Sequence, residues 1–193
     1  MGALRPLLLA GAVFLAGPAA AAQSLDRWSG HIAEASTRFG VPEDWIRRVI
    51  RAESGGRTML NGRPATSRAG AMGLMQLMPG TWSEIRSAYR LGFDPHDPRD
   101  NILAGTAYLR AMYDRFGYPG LFAAYNAGPG RYSAYLAGRS RLPGETVAYL
   151  RKVAGEARTE PAQPLPAPDT VPHRAPASER SSDTIFFIKR AMP

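Results

Sequence analysis

The chain of 193 residues has no cysteine and only three histidines. Without cysteine there is no disulfide framework, no thiolate metal site, no cysteine nucleophile and no N-terminal cysteine to lipidate. His31, His96 and His173 lie far apart with no i, i+4 pairing, so a histidine metal site finds no ligand set and a Ser-His-Asp triad has few candidates. Lysine is nearly missing as well: only Lys152 and Lys189 among 24 basic residues. What remains is an arginine-rich chain of net charge +8. Such a surface suits an anionic setting, whether nucleic acid, membrane headgroups or an acidic polymer. The length and an apolar share of 45% suffice for one or at most two domains with a real core.

The two ends stand apart from the middle. Residues 1–22 read as a cleaved signal peptide: Arg5 gives a positive start, Leu7 to Gly17 an apolar run, and Pro18 with Ala20-Ala21-Ala22 a small-residue cleavage site before Gln23. The apolar stretch is broken by Gly17-Pro18 and falls short of the ~20 residues that a spanning helix needs. A periplasmic protein without an integral membrane segment is therefore expected. Residues 155–193 hold seven prolines and balanced charges, the composition of a disordered tail. Ile185-Phe186-Phe187-Ile188 is its one apolar cluster, and removing the tail after about Ala157 is expected to leave folding intact. Residues 23–154 carry 18 basic and 11 acidic side chains, so the folded part holds the positive excess.

That part reads as helices. Trp28, Ile32, Ala35 and Phe39 repeat at helical spacing and stop at Gly40. Pro42 fits a first turn, with Glu43 and Asp44 at the positive helix end and Trp45, Val49 and Ala52 as its stripe. Further helices are expected over Thr81 to Arg90, Asp100 to Phe116 (with Ile102, Leu103, Leu109, Met112 and Phe116 inward), Tyr118 to Asn126, Gly130 to Leu136 and Gly144 to Val153. Thr58 to Arg63, with Asn61-Gly62 at its centre, is a hairpin signal.

Glu53 breaks its local pattern. It follows Val49 by four and Trp45 by eight residues, which puts it on the apolar face at the end of its helix. A partly desolvated carboxyl favours its neutral form, as a general acid requires; the plain alternative is a frayed end with Glu53 in water or paired with Arg57. Gly70 to Thr81 crowds Met72, Met75 and Met78 around Gln76. Glycines admit a close ligand, and an amide both donates and accepts, as sugar hydroxyls and acetamido groups demand; a buried connector is the simpler reading. Tyr125 and Asn126 precede a Gly128-Pro129-Gly130 turn, offering a stacking face and a polar edge, or merely a cap. No phosphate loop is present there. Glu145 and Tyr149 share one helical face, with Glu145 in a first turn that the helix dipole favours.

Taken together, these segments resemble the Slt-type lytic transglycosylases of goose-lysozyme-like fold, including members associated with conjugation and type IV secretion. The resemblance spans about Trp28 to Val153 and rests on Glu53-Ser54, Gly73-Leu74-Met75-Gln76 with Met78-Pro79, Ala124-Tyr125-Asn126-Ala127-Gly128, and Glu145-Thr146 with Tyr149, in family order. It implies a mainly α, lysozyme-like domain over residues 23–154, at most a small hairpin, and a glycan-binding cleft. Glu53 would be the catalytic acid. Ser67, Gln76, Met78, Tyr125, Asn126 and Tyr149 would line the cleft, with Glu145 beside them; if no second carboxylate serves, the Tyr149 phenol is a dipole that can meet the charge at the reacting carbon. The stretch between Glu53 and Ser67 is longer than in short-loop members and resembles those with a wider hairpin.

The function so implied is an exported lyase that cuts the β-1,4 bond between N-acetylmuramic acid and N-acetylglucosamine and leaves 1,6-anhydromuramyl ends. It needs no cofactor and no metal. Peptidoglycan strands are its partner, with secretion or conjugation proteins meeting the tail and the enzyme acting as a monomer. Nucleic acid is disfavoured by export and by the lack of a basic stripe with interleaved aromatics. Two rivals stay open: a lysozyme-type hydrolase on the same bond, and a non-catalytic glycan-binding module of a secretion apparatus.

Overall fold

The structure, a computed structural model, describes residues 25–154 and Leu165. The signal segment 1–22 and the Ile185-Ile188 cluster lie outside the described residues. In chain order the elements are α1 (Ser29–Phe39), α2 (Glu43–Glu53), β1 (Met59–Leu60), β2 (Arg63–Pro64), α3 (Pro79–Tyr89), α4 (Pro98–Phe116), α5 (Gly120–Ala127), α6 (Pro129–Leu136) and α7 (Gly144–Ala154). The expected mainly helical domain with one small hairpin is what forms.

The helix ends follow local chemistry. Gly40 closes α1 in the left-handed region at φ 62°. Pro42 is the N-cap of α2 and not its first turn, so that helix begins at Glu43 with Glu43 and Asp44 at its positive end. α3 starts two residues earlier than its periodicity predicts, because Pro79 and Gly80 form its first turn. α4 likewise starts at Pro98, capped by Asp97, whose side chain accepts from Asp100 N. α5 begins at Gly120 and not Tyr118. In the hairpin, Asn61 and Gly62 both take positive φ, the conformation that matches the twist of a two-residue turn; Leu60 pairs with Arg63 and Met59 with Pro64.

α4 is the axis of the molecule. Every residue from Asn101 to Leu109 is buried, so this stretch is enclosed on all sides rather than along one stripe. α1, α3 and α5 pack around it, while α7 bridges α2 and α5. The core runs from Ile32, Ile46 and Ile50 through Leu103 and Leu109 to Leu121 and Phe122. No helix among the described residues is long and apolar enough to cross a membrane.

Leu165 qualifies the reading of residues 155–193 as a tail without contacts. Its side chain packs against the core, and its backbone N–H donates to the Tyr113 hydroxyl at 3.1 Å. A half-buried leucine contributes about 1 kcal/mol. Deleting residues 158–193 is therefore expected to lower the melting temperature by about 4 °C, measured by thermal unfolding, where a tail without contacts would leave it unchanged.

Candidate active site

The site begins where α2 ends. The stripe of Trp45 and Val49 runs into Glu53, the last residue of the helix, whose Oε1 is sealed from solvent. The chain then turns at once through Gly55 and Gly56, at φ 63° and 77°, a region that side chains disfavour. Ser54 closes the turn: its hydroxyl donates to Ile50 O at 3.3 Å and accepts from Gly56 N at 3.1 Å. Arg27 and Trp28 both donate to Gly56 O, at 2.5 and 3.1 Å. The carboxylate is thus held by a helix end and a tied turn, not by a loose loop.

Two tyrosines stand near it, and a third packs against one of them. Tyr149 comes from α7, Tyr125 from α5 and Tyr108 from α4, the last two with ring centroids 5.1 Å apart. Burial first, and then the negative charge of Glu53, push the Tyr149 and Tyr125 phenols well above their ordinary value. Burial, and then the charge of Glu84, raise Tyr108 as well. All three are neutral phenols through the alkaline range, so none adds an alkaline limb to a pH profile. Tyr125 spends its proton on Met75 O at 2.8 Å. Tyr149 differs: its buried hydroxyl feels the charge of Glu53 and makes no hydrogen bond among the described residues.

α7 is held in place from both sides. Arg48, buried and paired with Asp44, donates to Val153 O at 3.4 Å, a cation at the negative end of the helix. Thr146 donates to Asn126 Oδ1 at 2.9 Å and so joins α7 to α5.

The Gly73–Gln76 segment is a clamped turn. Met72 and Leu77 exchange backbone hydrogen bonds at 2.9 and 3.0 Å, and Gly73 N donates to Ala65 O at 2.8 Å. Gln76 takes φ 49°, and its Nε2 donates to Gly73 O at 2.8 Å and Ala65 O at 3.4 Å. Asn101, fully buried, accepts from Met75 N at 2.8 Å and donates to Pro95 O and Met72 O at 2.8 and 3.1 Å. Met75 packs over Gly105, where a Cβ would fall 2.4 Å from its sulfur.

The residues read from the sequence as cleft-lining therefore have distinct positions. Glu53, Tyr149 and Tyr125 are brought together. Asn126 adjoins them through Thr146. Gln76 and Ser67 are engaged in the turn, Ser67 Oγ accepting from Ala71 N at 3.0 Å. Met78 is the half-buried N-cap of α3. Glu145 is exposed in the first turn of α7. Asn101 and Tyr108 were not singled out as site residues by their chemistry; an amide and a phenol inside the all-buried run of α4 are the signal that marks them.

A family model described as the transglycosylase SLT domain matches residues 30–147. The soluble lytic murein transglycosylase of Escherichia coli K12 is 35% identical over 120 residues, which is 58% of this chain and 18% of that protein. The transglycosylase of Enterobacteria phage PRD1 is 38% identical over 92 residues, 47% of this chain and 31% of that one. The chain thus spans less than a third of either relative. A crystal structure of lytic transglycosylase Slt from Pseudomonas aeruginosa, an inactive mutant, superposes with a TM-score of 0.57 at 30% identity over 67% of this chain and 23% of that one. With its helical domain, single hairpin and glutamate at a helix end, the chain belongs to the transglycosylase SLT domain family.

Proposed function

We propose that this protein is exported through its N-terminal segment and cleaves peptidoglycan as a lytic transglycosylase, at the β-1,4 bond between N-acetylmuramic acid and N-acetylglucosamine. The observation that carries this reading is one carboxyl at a helix end, half in an apolar wall, with a neutral phenol against it. Relatives named as soluble lytic murein transglycosylases support it.

Glu53 gives its proton to the glycosidic oxygen as the C1–O bond breaks, which frees the N-acetylglucosamine 4-hydroxyl. The positive charge at the muramyl carbon is met by the substrate's acetamido group and nearby dipoles. The C6 hydroxyl of the same sugar then attacks C1, and its proton goes to Glu53, which restores the acid. No water is consumed. An intramolecular nucleophile outruns solvent because its effective concentration is high. A second carboxylate would be needed to make water or an enzyme group the nucleophile; the other acid within the motifs, Glu145, is exposed in a first turn. Tyr149 donates to the Glu53 carboxylate once that has lost its proton. Ser67, Gln76, Met78 and Asn126 form the cleft walls, Ser67 and Gln76 by holding the clamped turn in shape.

Purified protein incubated with sacculi is expected to release soluble fragments; absence of release would refute the reading. Tyr149→Phe is expected to lower kcat about 10- to 100-fold with KM little changed, since a hydrogen bond to a charged group contributes about 1.5–3 kcal/mol. Steady-state kinetics on sacculi reads that split.

A further inference from the structure

The hairpin next to the end of α2 carries a charge pattern that the reaction above does not use. Residues 54–83 contain Arg57, Arg63 and Arg68 and not one aspartate or glutamate. All three arginines are exposed. Arg57, Arg63 and Arg68 have no ion-pair partner among the described residues.

These arginines sit on a built rim. Arg57 is four residues past Glu53, and its N–H donates to Ser54 O at 3.3 Å. Arg63 stands opposite Leu60 across the Asn61-Gly62 turn. Arg68 follows Ser67 in the turn closed by Ala71. Between them, Ala65 N donates to Thr58 O, while Ala65 O receives Gly73 N, both at 2.8 Å. The rim is thereby fixed to the same backbone that carries Glu53 at one end and Gln76 at the other.

From this pattern we infer that Arg57, Arg63 and Arg68 bind the carboxylates of the peptide stems, so that strands carrying acidic peptides are taken up in preference to strands whose carboxyls are masked. This deepens the proposed function and rests on it for the identity of the polymer. The sugars of the strand are neutral apart from what their substituents bring. The negative charge lies on peptides joined through the lactyl group of the muramyl residue, the same sugar whose C1 reacts. Guanidinium groups on long stems match carboxylates in pairs of hydrogen bonds. With no acid in the stretch to neutralise them, the arginines are available to the substrate.

The test is co-sedimentation with purified sacculi, and with the same sacculi after carbodiimide coupling to methylamine has converted their carboxylates to amides. Binding is read in the Glu53→Gln background, so it does not depend on turnover. Arg57→Gln/Arg63→Gln/Arg68→Gln is expected to weaken binding to native sacculi about five- to tenfold, since each exposed pair contributes modestly, and to leave binding to amidated sacculi unchanged. The equal-charge control Arg38→Gln/Arg90→Gln/Arg115→Gln is expected to stay within about twofold of its parent at 0.15 M salt, where distant charges are screened. The three rim positions are exposed, so melting temperatures should agree within about 2 °C. Equal weakening by the control triple would overturn the proposal in favour of diffuse attraction. So would unaltered discrimination by the rim triple. Carboxylate-dependent binding by a wild-type chain that releases no fragments would uphold the rim and refute the transglycosylase reading alone.

Discussion

Glu53→Gln is expected to fold with an unchanged melting temperature, to bind sacculi, and to release soluble fragments at less than about one-thousandth of the wild-type rate, the upper range of what a positioned acid-base group contributes. The amide keeps the shape and polarity of the carboxyl, so the turn at Ser54-Gly55-Gly56 and its bonds to Ile50 and Gly56 persist. It cannot deliver a proton to the leaving oxygen or take one from the C6 hydroxyl, so both halves of the reaction fail together. A fragment-release assay on sacculi reads the loss. Clearing comparable to wild type would remove Glu53 from the mechanism. Glu145→Gln is expected to be far milder, because that side chain is exposed in the first turn of α7.

Gly73→Ala carries the largest expected effect on stability. Gly73 has φ 75°, where a Cβ costs on the order of 1 kcal/mol. That Cβ would lie 2.3 Å from Asn101 Nδ2 and 2.7 Å from Pro95 O. One neighbour is backbone, and the other is a buried amide already bonded to Pro95, Met72 and Met75, so neither yields without breaking hydrogen bonds. Strain and displaced bonds together should cost about 3 kcal/mol or more, a fall in melting temperature of roughly 10 °C. The neighbouring turn holds Gln76, so activity should fall even below the unfolding range. A melting temperature within about 2 °C of wild type would show that the Asn101 clamp is looser than its distances imply.

These two positions illustrate what the sequence revealed and what it withheld. Glu53 was legible because a carboxylate on an apolar stripe, one residue before a Ser-Gly-Gly turn, contradicts its own helix. The Asn61-Gly62 turn and the stop at Gly40 were legible because a left-handed conformation leaves a residue signature. The start of α4 was displaced by two residues because Asp97 acts as a cap through its side chain, which periodicity does not register. Asn101 was not legible as a clamp: its partners Met72, Met75 and Pro95 come from elsewhere in the chain, and no local pattern encodes such bonds. Gln76 and Ser67 were read from their chemistry as sugar-facing groups, yet their side chains also close the turn onto Gly73, Ala65 and Ala71. Tyr149 could be placed on a helical face from its spacing, but its meeting with Glu53 depends on α7 docking against α2, which Arg48 and Val153 secure over a separation of 105 residues.

The central claim is that one carboxyl, Glu53, acts as acid and then base while the sugar's own C6 hydroxyl takes the place of water. Mass spectrometry of the fragments released from sacculi tests it most directly. Muramyl ends ~18 Da lighter than hydrolysed ones, the mass of one water, are the predicted product throughout the digestion. Predominantly reducing ends would contradict the account, since a hydrolysed end requires an activated water and a second carboxylate to activate it.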